Sequence, residues 1–82
     1  MNSAVITTKF ILDNNSPILY VFHYNDGFWQ FSGPDEELND EDYRVVSLQE
    51  IINIDSSVCE VADLPFEGKA YRQNGNMPWQ VL

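Results

Sequence analysis

Positively charged side chains are scarce in this chain, which has four Lys and Arg against thirteen Asp and Glu and a formal net charge of -9 at pH 7. With so few cations no basic patch can form, so direct binding to nucleic acid or to an anionic membrane surface is not expected. The same excess of carboxylates attracts basic proteins and speeds their association at low salt. Because an acidic surface also keeps proteins soluble, charge alone does not establish a partner.

Cysteine and histidine occur once each, as Cys59 and His23. A single cysteine excludes an internal disulfide and a cysteine zinc cluster, and we expect Cys59 to be a small buried apolar residue. His23 has no nucleophile near it in the predicted strands, so we expect a structural or surface role for it. The chain also lacks an apolar run of about 18 residues and a signal-peptide pattern. These absences favour a cytoplasmic protein without membrane contacts.

Apolar residues are plentiful, since 44% of the chain is hydrophobic and 13% is aromatic. That proportion is enough for a folded core despite the acidity. A chain of 82 residues suits one domain, and no linker or internal repeat divides it. We therefore expect residues 1–82 to form a single globular domain.

A β-hairpin is the clearest structural prediction. Residues 18–24 are rich in β-branched and aromatic side chains and are followed by Asp26-Gly27, a strong signal for a two-residue type I′ turn. Such a turn pairs Tyr24 with Trp29 and Phe22 with Phe31. Because side chains alternate along a strand, this register predicts one aromatic face directed towards the core. That face would comprise Tyr20, Phe22, Tyr24, Trp29 and Phe31.

The remaining segments complete an α+β pattern. Residues 4–7, 43–46 and 68–73 read as strands. Ser47 and Glu50 form a capping box that begins a helix, and Ser56 or Ser57 would cap a second helical turn. Residues 77–82 fit either an edge strand or a tail folded back through a tryptophan. We predict a mainly antiparallel sheet with a central β-hairpin and one or two short helices.

Six of the thirteen carboxylates lie in residues 35–42, which we call the acidic segment. Neighbouring carboxylates about 7 Å apart repel by roughly 0.6 kcal/mol even in water, so we expect an exposed, extended loop with Leu38 as its lone apolar anchor. Trp29 and the strand before the loop would give this surface a rigid base. The predicted partner-binding residues are Trp29, Asp35, Glu36, Glu37, Asp40, Glu41 and Asp42.

Catalysis and metal binding have weaker support. A catalytic carboxylate pair needs one desolvated member, whereas the acidic segment should be hydrated. A calcium loop of the EF-hand type that started at Asp35 would need glycine and glutamate where Asp40 and Val46 stand. Weak, adventitious calcium binding stays an alternative. We expect no enzymatic activity, no cofactor and no dedicated metal site.

The order of motifs resembles a small bacterial family of uncharacterised domains grouped with the immunity proteins of polymorphic toxin systems. The similarity covers most of residues 4–72 and rests chiefly on Trp29, on the Phe-Ser-Gly of residues 31–33, and on Leu64, Pro65, Gly68 and Arg72. The resemblance implies an intracellular, non-enzymatic protein that neutralises a cognate toxin by binding it. Many such toxins are basic nucleases, which fits the acidity of this chain.

A protein partner, with a basic toxin as the first candidate, is therefore the leading hypothesis. The alternative is a general protein-interaction or accessory module without a toxin partner, which pairs with another chain through a sheet edge or through residues 77–82. The sequence leaves the choice between monomer and homodimer open.

Overall fold

A computed structural model describes residues 3–34 and 38–82 of the chain. Six strands form one sheet in the order β4-β1-β3-β2-β5-β6. Strands β1 and β3 are parallel and every other neighbouring pair is antiparallel, which confirms the predicted α+β fold with a mainly antiparallel sheet. The strands are β1 (Ala4–Thr8), β2 (Tyr20–His23), β3 (Trp29–Ser32), β4 (Tyr43–Ser47), β5 (Lys69–Tyr71) and β6 (Gln80–Val81).

The hydrophobic core lies on one face of this sheet. Val5, Val21, Phe31 and Ala70 come from four different strands and are nearly inaccessible to solvent. Two short α-helices and a 3-10 helix pack onto them, and the apolar side chains that these helices bury belong to the same cluster. These elements are α1 (Lys9–Asn14), α2 (Leu48–Ile54) and the 3-10 helix Ser56–Val61, whose buried residues are Ile11, Ile51, Val58 and Val61.

The central hairpin forms as predicted, but its register differs by one residue. His23 pairs with Trp29 and Val21 with Phe31. The Tyr24 amide donates to the Phe28 carbonyl at 2.8 Å, which leaves a three-residue loop ending in Gly27 with φ of 93°. A positive φ at the third loop position is the bulged hairpin geometry that glycine favours. The predicted two-residue turn was therefore wrong.

The register change divides the predicted aromatic face. Phe31 and Trp29 share the covered face with Val21, whereas Tyr20 and Phe22 pair with Ser32 and Lys69 on the opposite face. Paired residues of adjacent strands lie on the same side of a sheet, so one extra loop residue exchanges all the partners. The prediction of a single aromatic core face was wrong for this reason.

Capping signals in the sequence predicted the start of one helix correctly and the cap of the next helix incorrectly. The Ser47 hydroxyl accepts a hydrogen bond from the Glu50 amide at 3.2 Å, which confirms the predicted start of α2, but the described residues show no return bond from the Ser47 amide to the Glu50 side chain. The following 3-10 helix is capped by Asp55, whose carboxylate accepts from the Ser57 amide at 3.0 Å, rather than by either serine. Helix α1 was not predicted, and Thr8 caps it with its hydroxyl.

The C-terminal residues combine the two conformations that the sequence allowed. Residues of β6 pair with β5, and Trp79 packs against the core just before them. The Trp79 ring lies 4.1 Å from the guanidinium carbon of Arg72, which is itself buried and ion-paired with Asp55. In the part of the chain that the structure describes, no helix is long and apolar enough to cross a membrane.

Candidate functional site

The described part of the acidic segment is folded rather than extended. Residues Asp40–Asp42 form a 3-10 helix at the start of β4. One carboxylate oxygen of Asp42 accepts from the Asn39 amide at 2.9 Å and the other lies 3.1 Å from the Lys9 ammonium. The expectation of an extended loop was therefore wrong for these three residues, because a backbone amide and a cation of the chain itself relieve the repulsion.

Asp42 is consequently not part of an exposed carboxylate surface, since only 8% of its side chain is accessible. The hydrogen bond from Asn39 and the ion pair with Lys9 hold the pKa of Asp42 below its ordinary value. Asp40 and Glu41 remain exposed. Leu38, the expected anchor, is half-buried, and the predicted binding residues Asp35, Glu36 and Glu37 lie outside the described residues.

Trp29 does not support the acidic segment. It begins β3, whereas the acidic segment follows the other end of that strand, a separation of about 10 Å along the strand axis. Its ring stacks on the His23 imidazole with centroids 3.9 Å apart, and His23 Nδ1 is 2.8 Å from the Leu64 carbonyl oxygen. Trp29 and His23 therefore line the covered side of the sheet, which agrees with a structural role for the histidine.

The opposite side of the sheet carries a surface that we call the open face. The helices bury their apolar side chains on the other face, and on this face Tyr20, Phe28 and Val45 are exposed. It includes all four tyrosines of the chain. The side chains that strand pairing and alternation place on the open face include Ile6, Tyr20, Phe22, Tyr24, Phe28, Gln30, Ser32, Tyr43, Val45, Lys69 and Tyr71.

Polar contacts hold the centre of the open face in place. The Tyr24 hydroxyl donates to Gln30 Oε1, and Gln30 Nε2 donates to Ser32 Oγ at 3.0 Å. The rings of Phe22 and Tyr24 contact each other with centroids 4.7 Å apart. Because a sheet backbone and mutual hydrogen bonds restrain these side chains, little conformational entropy would be lost when a partner covers them.

A depression of about 440 Å³ lies on the open face beside the hairpin loop. Its walls are mainly apolar, with Asp26 as the single carboxylate at the margin. Burial raises the pKa of the Tyr24 hydroxyl, and the neighbouring Tyr43 and Asp26 add to the effect, so this hydroxyl is neutral at pH 7. The lining residues are Ile6, Tyr24, Asp26, Phe28 and Val45.

A second, narrower crevice of about 230 Å³ lies between the sheet and the helices. Trp29 and Phe31 line it on the side of the sheet, and Leu48, Ile52 and Val58 line it on the side of the helices. Cys59 lies at this crevice and is exposed, so the expectation of a buried cysteine was wrong. None of the residues that line this crevice is a base that could deprotonate the thiol.

Metal-ligating side chains are scattered in residues 3–34 and 38–82. Within these ranges, no three His, Cys, Asp or Glu residues lie close enough together to hold a metal ion. Comparison of the chain with known protein families, with curated proteins and with solved structures gives no match.

Sequence reasoning missed the open face although its signal was visible. Tyr20, Phe22 and Tyr24 alternate with Val21 and His23, a pattern that identifies two faces of a strand but not which face is covered. Aromatic content predicts burial of this face, and the structure shows the opposite arrangement. In the structure Tyr20 is 49% exposed whereas Val21 is 1% exposed.

Proposed function

We propose that this chain is a non-enzymatic protein that binds a basic protein partner, with a bacterial toxin that it neutralises in the cytoplasm as the leading candidate. The observation that carries this proposal is the open face, a rigid sheet surface rich in tyrosine on a strongly acidic chain. The family resemblance of the sequence supplies the identity of the partner class.

The composition of the open face supports protein binding. Tyrosine and phenylalanine are enriched in the buried centres of protein interfaces, because each ring removes much apolar area from water at low entropic cost. Tyr20, Phe28 and Val45 are 49%, 44% and 71% exposed and lie on the same side of one sheet. Exposed apolar side chains that share one face of a sheet are typical of a contact with another macromolecule.

The charge distribution supports a basic partner. Among residues 3–34 and 38–82, Lys9 is ion-paired with Asp42 and Arg72 with Asp55. Arg44 donates to backbone carbonyls beside its own strand. Thirteen carboxylates greatly outnumber the four Lys and Arg side chains, and their field favours association with a positively charged surface.

Co-expression with the product of a toxin-like adjacent gene tests this proposal. The chain is expected to restore growth of a bacterial host that expresses the toxin, and to elute with it as a stable complex on size exclusion. The variant Tyr20→Ala/Val45→Asp alters the open face and should weaken the complex. Phe66→Ala, which removes a similarly exposed ring beside His23 on the covered side, is the matched control and should not. A chain that neither rescues growth nor binds the toxin contradicts the proposal.

Self-association is a second candidate because the two edge strands of the sheet, β4 and β6, each have a neighbouring strand on one side only. Strand β4 offers five residues at one edge, and β6 carries the 65% exposed Val81 at the other. An unpaired edge can add a strand from another chain. A net charge of -9 on each copy opposes this contact at low salt. Sedimentation equilibrium that shows a dimer strengthening with salt, and no toxin complex, would support this candidate.

A further inference from the structure

The depression on the open face has the chemistry of a cation-binding site. It combines the aromatic residues Tyr24 and Phe28 with the carboxylate of Asp26 at its margin. Asp26 Oδ1 accepts from the Phe28 amide at 3.0 Å, whereas its other oxygen receives no hydrogen bond from the described residues. A positive group in the depression would thus lie beside two aromatic side chains and a carboxylate oxygen that accepts no hydrogen bond from the described residues.

The open face already holds one cation of the chain in a similar way. The Lys69 ammonium lies 5.9 Å from the centre of the Phe22 ring, within the range of a cation–π contact. The depression itself contains no cation, since none of its lining residues is basic. The chain therefore makes this contact with its own Lys69 at Phe22, whereas two aromatic side chains and a carboxylate line the depression.

We infer that this depression binds an arginine side chain of the basic partner, an inference that rests on the proposed function. Charge complementarity between Asp26 and a guanidinium, on a chain of net charge -9, selects a cation as the occupant. The planar guanidinium is more weakly hydrated than an ammonium and stacks on aromatic rings, so an open apolar depression favours arginine over lysine.

Nuclear magnetic resonance titration of the whole chain with a short oligoarginine peptide tests the location. Saturable shift changes are expected at the amides of residues 24–28 and of Val45. Oligolysine should bind more weakly, and the uncharged oligocitrulline should bind more weakly still. Shift changes spread evenly over the acidic surface, or equal binding of the arginine and citrulline peptides, would overturn the assignment.

Matched variants separate the local site from general charge. Asp26→Asn keeps an oxygen that can accept from the Phe28 amide, so the hairpin loop is preserved while the charge is lost. It should weaken oligoarginine binding by roughly two- to fivefold, and Phe28→Ala by a similar factor. Asp63→Asn makes the same change in net charge at another exposed position and should have little effect. Equal effects of the two aspartate variants would refute a local arginine site.

The toxin complex distinguishes failure of this inference from failure of the proposed function. If the unmodified chain neutralises the toxin but Asp26→Asn and Phe28→Ala bind it as tightly as the unmodified chain does, the arginine site is wrong and the proposed function stands. If the unmodified chain does not bind the toxin, the proposed function is wrong, whatever the peptide titration shows. Weaker toxin binding by both variants, with Asp63→Asn unaffected, supports both.

Discussion

Replacing Arg72 by methionine should cost a large part of the stability of this protein. The Arg72 side chain is 3% exposed, and its guanidinium donates to the Ile18 carbonyl at 3.0 Å and to the Ser57 hydroxyl at 2.9 Å. It also forms the ion pair with Asp55 and lies over the Trp79 ring. Methionine is of similar length and replaces none of these polar contacts.

The expected loss follows from what the substitution leaves behind. Removing one partner of a buried ion pair typically costs about 3–5 kcal/mol. Asp55 keeps its hydrogen bond from Ser57 and is 27% exposed, so its unpaired charge remains partly hydrated. The buried Ile18 carbonyl loses its donor, which adds to the cost. We expect about 3 kcal/mol, against a total stability of roughly 4–12 kcal/mol for a domain of this length.

Urea unfolding followed by far-ultraviolet circular dichroism measures this loss without relying on Trp79 fluorescence. The midpoint should fall by roughly 1–3 M, given a slope of about 1–3 kcal/mol per M. Asp55→Asn alone and together with Arg72→Met completes a double-mutant cycle, and the coupling energy should be about 1–3 kcal/mol. A loss below about 1 kcal/mol with an unchanged slope, or a coupling energy near zero, would refute the assignment of stability to this network.

Three further predictions concern acid sensitivity and backbone geometry. Burial acts to raise the pKa of Asp55, but the hydrogen bonds from Ser57 and the ion pair with Arg72 outweigh it and lower the pKa. The carboxylate therefore contributes to the free energy of unfolding above the unfolded-state pKa of about 4, and this contribution is lost as pH falls through the folded-state pKa. The stability difference between the unmodified chain and Asp55→Asn should therefore shrink as pH falls from about 6 to 2, and a difference independent of pH would contradict this. Gly27→Ala should lower the free energy of unfolding in urea by roughly 1–2 kcal/mol because of the φ of 93° alone, since nothing lies within 4 Å of the added Cβ. An unchanged free energy of unfolding would contradict the bulged loop. Gly68→Ala should lower the free energy of unfolding by roughly 1–3 kcal/mol for a different reason, because its Cβ would lie 2.8 Å from the Pro65 carbonyl oxygen. An unchanged melting temperature would show that this turn relaxes freely.

Local signals predicted most elements of the fold. The β-branched runs marked β1 and β4, and the Ser47 cap marked the start of α2, because strand propensity and capping depend on neighbouring residues. Helix α1 was missed since its six residues are too few to show helical periodicity. Charge density predicts the acidic binding residues and the aromatic hairpin predicts Trp29, but tertiary contacts place Asp42 in an ion pair and Trp29 on the covered face.

Sequence by itself determined the chemical character of this protein: acidic, rich in aromatic residues, built mainly of antiparallel strands, and with one histidine and one cysteine. Only the tertiary structure decided which face of the central hairpin is exposed. Alternation divides a strand into two faces, but the length of one loop sets which residues of the next strand join each face, and helix packing selects the face that is covered. Tyr20, Phe22 and Tyr24 therefore lie on the surface, where we expect the partner to bind.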